Sequence, residues 1–97
     1  MSITAAANIR KYVPLGRVVM SACARRALTD KDIYAALARH KTGDWGDVSE
    51  ADRRANNNAL NRGGRLLSVY TGADGDTFWV ITEADKSSTT VPLPGDY

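Results

Sequence analysis

A chain of 97 residues, 43% hydrophobic and 25% charged, has the make-up of one small globular domain. It is long enough to bury roughly 60–65% of the surface its unfolded form exposes, and too apolar for wholesale disorder. Its single cysteine, Cys23, excludes an internal disulfide framework and a multi-cysteine zinc site and suits a reducing cytoplasm.

The formal net charge is only +2, but it is unevenly spread. Met1 to Leu28 carries Arg10, Lys11, Arg17, Arg25 and Arg26 with no acid, whereas Asp44 to Tyr97 carries nine acids against five bases. Such asymmetry suits a polyanion, an acidic partner surface, or a basic half folded against the chain's own acidic half. The opening residues lack the charged start and long apolar run of a secretory signal, and no apolar stretch approaches the ~18–20 residues needed to span a bilayer. A cytoplasmic protein with no membrane partner is the expectation.

Residues 1–16 read as an N-terminal arm, with Pro14 pushing Val13 towards extended geometry and Gly16 marking a turn. Arg17 to Cys23, rich in β-branched and apolar residues, predicts a first strand that buries Cys23. Thr29 with Asp32 three residues later predicts a capped helix over about Asp30 to His40, with Ile33, Ala36, Leu37 and His40 near one face and Gly43 beyond its end. Ser49 with Asp52 repeats the signal. The second helix presents Ala51, Ala55 and Ala59 as a stripe of small residues beside Leu60, and Gly63-Gly64 ends it. Its run Asn56-Asn57-Asn58 has weak helix propensity, so this helix depends on packing.

Leu66–Tyr70 and Phe78–Thr82 flank Asp74-Gly75, a favoured pair for a two-residue hairpin turn, which would set Tyr70 opposite Trp79 and Val69 opposite Val80. Both hairpin faces then carry large apolar groups: one takes the helices, and the other needs the N-terminal strand, the tail or a second subunit, so a homodimer through that face is expected. Thr89-Thr90-Val91 predicts a last short strand, which Pro92 and Pro94 place at an edge or as an extended cover. Together these elements predict a single α+β domain over residues 1–97: a mostly antiparallel sheet of three to five strands with a C-terminal β-hairpin and two short helices packed on one face.

His40 with Asp44 and Asp47 is the one grouping that resembles a metal-binding or acid–base cluster. Its spacing matches no metal motif, and Gly43-Asp44-Trp45-Gly46-Asp47 reads equally as helix stop, aromatic plug and helix start. Cys23 and Ser68 have no evident partner base, and Gly63-Gly64-Arg65 precedes a strand where a phosphate loop would lead into a helix. No catalytic residue, metal or cofactor is therefore assigned. Asp44, Trp45, Asp47, Glu83 and Asp85 are the candidate partner contacts, although Glu83 to Thr90 also suits the Asx- and Ser/Thr-turns of a tight loop. Arg10, Lys11, Arg17, Arg25 and Arg26 form the candidate nucleic-acid surface, with Tyr12 interleaved for stacking.

His40 with Gly43–Asp47, Asn56 with Ala59-Leu60 and Gly63, Arg65–Tyr70, Trp79–Asp85, Ser88–Val91, Leu93-Pro94 and Tyr97 together resemble a group of short bacterial proteins carried with plasmids and other mobile elements, the plasmid-related proteins. The likeness covers about the C-terminal 60% of the chain. It departs at Lys86, where the pattern has arginine, and at Pro92, where it has leucine. The resemblance implies a mobile-element setting and no particular activity. A restriction–modification label carried by some members implies a methyltransferase domain that 97 residues cannot hold. The expected function is that of a non-catalytic accessory protein that binds a macromolecular partner, in host defence or plasmid maintenance. Nucleic-acid binding through the basic half is the alternative, and a small metal-dependent enzyme built on His40, Asp44 and Asp47 is the third.

Overall fold

The computed structural model describes residues 12–97, so the predictions that fall on Arg10 and Lys11 lie outside the described residues. In chain order the elements are β1 (Arg17–Met20), α1 (Ala22–Ala27), α2 (Asp30–Lys41), α3 (Glu50–Arg62), β2 (Leu66–Thr71), β3 (Thr77–Thr82), β4 (Ser88–Val91) and a 3₁₀ turn (Pro94–Asp96). The fold is α+β, with one four-stranded sheet in the order β1-β4-β3-β2. The β2–β3 and β3–β4 pairs are antiparallel, and β1 joins β4 in parallel. No helix among the described residues is long and apolar enough to cross a membrane.

Local chemistry explains the helix starts. Thr29 and Asp32 exchange backbone and side-chain hydrogen bonds in a full capping box, which satisfies two amide donors at the start of α2. Ser49 caps α3 by accepting from the Asp52 amide at 3.0 Å, and Ser21 caps α1 by accepting from the Ala24 amide. That third helix corrects the expected long first strand. Extended structure stops at Met20 because Ser21 starts a helix there, so Cys23 is helical and half-buried rather than a buried strand residue.

The hairpin register is also corrected by one residue. Val69 pairs with Trp79 and Tyr70 with Phe78. The Gly75 amide donates to the Gly72 carbonyl, the Gly72 amide donates to Asp76, and Gly75 has φ +88°. These bonds make a three-residue loop, Ala73–Gly75, closed by a left-handed glycine. Since a one-residue slip exchanges the faces of a strand, this register puts Tyr70, Phe78 and Val80 together. They pack with Ala24, Leu28, Ile33, Ala36 and Val91 in the main core under α1 and α2.

A second core joins Val13, Trp45 and Leu66, with Leu15, Val48, Ala59 and Leu60 packed against it. Val13 is 1% exposed and its amide donates to the Lys41 carbonyl, so the described end of the expected arm is core. Gly16 has φ +61°, and a β-carbon there would lie 2.4 Å from the Ser87 carbonyl oxygen. Only glycine fits where the chain enters β1.

The strand Ser88–Val91 lies between β1 and β3, not at an edge as its prolines suggest. Pro92 follows its last residue, so the missing N–H costs the ladder only one terminal bond, while the Pro92 oxygen still accepts from the Trp79 amide at 3.0 Å. On the sheet face away from α1 and α2, the tail returns to cover Trp79. Tyr97 meets Trp79 edge-on, with the Arg65 guanidinium over the Tyr97 ring.

The Ala51 and Ala55 stripe faces solvent, and the buried residue of α3 is Asn56. Its side-chain amide donates to the Leu67 carbonyl at 2.7 Å and accepts from the Leu67 amide at 3.0 Å, copying a strand's pairing on the outer edge of β2. Two residues along, Val69 donates to the Trp45 carbonyl and accepts from the Asp47 amide. In an antiparallel ladder alternate residues point outward, so the outward groups of Leu67 and Val69 are both satisfied and this edge is closed to further strands. Gly46 is the pivot, since a β-carbon there would sit 2.0 Å from the Val69 oxygen. Gly46→Ala should lower stability by about 2 kcal/mol or more. Asn56→Leu should do so by a similar amount, because it strands the Leu67 amide and carbonyl. Urea denaturation of both variants measures this.

Candidate functional site

The histidine singled out by sequence is fully buried in the last turn of α2, and so are Ser68, Thr82 and Thr89. His40 Nδ1 lies 2.6 Å from Ser68 Oγ and Nε2 lies 2.9 Å from Thr82 Oγ1. Thr82 Oγ1 lies 2.7 Å from Thr89 Oγ1, which donates to the Leu15 carbonyl. That final carbonyl fixes every proton in the series, because a carbonyl can only accept and each hydroxyl has one hydrogen. Thr89 spends its hydrogen on Leu15, so Thr82 donates to Thr89 and must itself accept from Nε2–H. In the neutral ring, which burial favours, Nδ1 is then the acceptor for the Ser68 hydroxyl. The imidazole is neutral, carries its proton on Nε2, and ties α2 to β2, β3, β4 and the segment entering β1.

Ser68 therefore has the partner base that sequence reading missed. A serine next to a histidine is the geometry of an activated nucleophile. Here the pair is sealed: Trp45 stands edge-on to the imidazole with centroids 5.6 Å apart, and both residues are fully buried. Burial also pushes the imidazole down to about 4, because no counter-charge offsets the loss of hydration of its cationic form.

The expected grouping of His40 with Asp44 and Asp47 is not assembled. Both ring nitrogens are engaged by hydroxyls, and the described residues contain no cluster of three His, Cys, Asp or Glu side chains able to hold a metal. Asp44 instead takes a two-point contact from Arg39, with Nε to Oδ2 at 2.7 Å and Nη2 to Oδ1 at 3.1 Å. That guanidinium holds the Asp44 carboxyl below the usual carboxylate range. The Asp44 carbonyl accepts from the Tyr70 hydroxyl, while Arg39 lies 4.7 Å from the Tyr70 ring centroid. Burial pushes that phenol up to about 12.

Among the candidate partner contacts, Trp45 is 4% exposed and its indole N–H donates to Asn57 Oδ1 at 3.0 Å, so it offers no surface to a partner. Asp47 and Asp85 are exposed, and Glu83 pairs with Arg65 across 3.5 Å. The Asp85 carboxylate accepts from the Ser87 amide at 3.0 Å, which is an Asx-turn closing the β3–β4 connection. Lys86, at φ +61°, completes that turn by donating to the Gly64 and Ala84 carbonyls.

Arg25 and Arg26 end α1, and Arg17 begins β1. All three are exposed, and every ion pair among the described residues joins partners within positions 39–83. Arg17, Arg25 and Arg26 thus form no ion pair with the acidic half among the described residues, although Arg26 acts electrostatically on Asp96.

An open groove of about 460 Å³ lies between α2 and the β2–β3 hairpin, and sequence gave no sign of it. Ala35, Ala36, Tyr70 and Phe78 give it an apolar floor, with Lys31, Asp32 and Arg39 at its rim. Asp32 builds one wall by accepting from both the Thr29 and Ala73 amides, which fixes the hairpin tip against the helix.

No family model, curated protein or solved structure matches the chain. Function therefore has to rest on these side chains and surfaces.

The buried imidazole makes stability depend on pH with a definite sign. Its folded value of about 4 lies below its ordinary 6.5, so the unfolded chain binds the proton first. The stabilisation is complete above pH 6.5 and is lost as pH falls towards 4, a change on the order of 3 kcal/mol. Chemical denaturation at a series of pH values should show this slope, and His40→Gln should remove it while lowering stability at pH 7.

Proposed function

We propose that this chain is a non-catalytic accessory protein that binds another macromolecule, with the groove between α2 and the hairpin as its contact surface. The observation that carries this reading is how the polar groups are used. The only serine–histidine pair among the described residues is consumed by a sealed structural network, whereas the groove lies open between α2 and the hairpin. An apolar floor with an exposed Lys31 on its rim favours a protein segment that presents an apolar side chain next to a carboxylate. A mobile-element setting, in host defence or plasmid maintenance, is part of the proposal and rests on the resemblance of Gly43–Asp47 and the hairpin to plasmid-related proteins. A cytoplasmic location goes with it.

Nucleic-acid binding is the second reading, supported by Arg17 and Arg25, exposed and in no ion pair among the described residues. Phosphate contacts weaken steeply with salt. Anisotropy titrations with DNA and RNA at two salt concentrations separate the readings: salt-sensitive binding that Arg25→Glu weakens supports the second. For the first, affinity capture from bacterial cells should retain a protein partner that Ala35→Arg releases, because Ala35 is exposed and lines the groove. Capture of no partner, or of one that Ala35→Arg retains, contradicts the assignment.

A further inference from the structure

The two edges of the sheet are finished differently. The outer edge of β2 is closed by Asn56 and by Trp45 and Asp47. At the other edge, the Arg17 amide donates to Ser87 and the Ser21 amide to Val91, so in the parallel ladder residues 17, 19 and 21 turn their backbone groups towards β4. Val18 and Met20 turn theirs outward. No side chain or segment among the described residues pairs with them, and Val18 and Val19 are 42% and 44% exposed. An apolar edge of this kind is a template for another strand.

We propose that β1 pairs antiparallel with β1 of a second copy, joining the two sheets across a two-fold axis through Val19. The occupant follows from the edge's self-complementarity. The outward groups belong to Val18 and Met20, so the register that uses them sets Val18 against the partner's Met20 and Val19 against the partner's Val19. Four backbone hydrogen bonds form, two around each Val18–Met20 pair. β-Branched residues meet at the axis, the pairing that sheets favour.

Charge completes the match. Arg17 falls opposite the partner's Ser21, not opposite another arginine. In each chain the exposed Asp96 carboxylate accepts from the Ser21 hydroxyl at 2.6 Å and from the Leu93 amide at 3.2 Å; its own chain's Arg26 acts on it electrostatically but makes no ion pair with it among the described residues. Arg17 likewise has no ion pair among the described residues. Dimerisation sets the two on facing strands twice, once on each side of the axis, and opposite charges so placed favour association.

Sedimentation equilibrium of the full chain over micromolar to millimolar concentrations, with amide exchange, tests this. The wild type should dimerise, with the Val18 and Met20 amides gaining protection as the dimer fraction rises. Val19→Lys should weaken the dimer by about tenfold or more without lowering the melting temperature, since the side chain is half-exposed. Arg17→Glu should also weaken it, and Arg17→Glu with Asp96→Lys should recover it. That exchange of charges decides the matter if Val19→Lys proves unstable. A monomer at all concentrations, including one whose Val18 and Met20 amides are already protected, overturns the proposal. So does a dimer that Val19→Lys and Arg17→Glu leave intact.

Discussion

Every layer of this small fold meets at one imidazole. His40 takes a hydrogen bond from Ser68 on β2 and gives one to Thr82 on β3, which passes its own to Thr89 on β4 and from there to the Leu15 carbonyl. A buried polar group is tolerated only when it is bonded, and a half-satisfied network is worse than an apolar core. This one leaves no buried side-chain nitrogen or oxygen without a partner among the described residues. Its geometry therefore constrains the height of α2 over the sheet, the hairpin register and the path of the chain into β1 at the same time. A one-residue slip of the hairpin would put Ser68 and Thr82 on opposite faces of the sheet, so that only one of them could reach the imidazole.

The segment Gly43–Asp47 continues that constraint to the edge of the sheet. Trp45 closes the imidazole from solvent, Gly46 lets the backbone touch β2, and Asp47 with Asn56 occupies the strand's outward groups. A residue set that looks like a polar site in sequence works as a hinge and an edge guard. The acids and arginines around it brace one another: Arg39 is held between Asp44 and the Tyr70 ring. Among the described residues, what is left accessible is the groove beside α2 and the unpaired edge of β1, which is why both functional readings concern binding.

Elements whose signals are local were legible in the sequence. The two capped helices, the hairpin strands and the turn after Glu83 follow from Thr29 and Asp32, from Ser49, from the apolar runs and from Asp85. Features that depend on partners distant in sequence were not. Asn56 reads as a poor helix residue until Leu67 is beside it. Ser68 lacks a base until the fold brings His40 to it across 28 positions. The helix after Ser21 was hidden because Val18-Val19-Met20 reads as a strand and Ala22-Cys23 continues its apolar character past Ser21, and period alone does not mark where a short strand yields to a helix. Pro92 suggested an edge strand because sequence cannot say that the strand ends one residue before it.

The claim that His40 is a neutral structural node, rather than a reactive or metal-binding group, is tested most directly by the nitrogen-15 NMR spectrum of its imidazole. The network requires a single tautomer with the proton on Nε2, an unprotonated Nδ1, and no change in either resonance between pH 8 and about pH 6, since the folded value lies near 4. A proton on Nδ1, a mixture of tautomers, or titration near the ordinary histidine value of about 6.5 would contradict it.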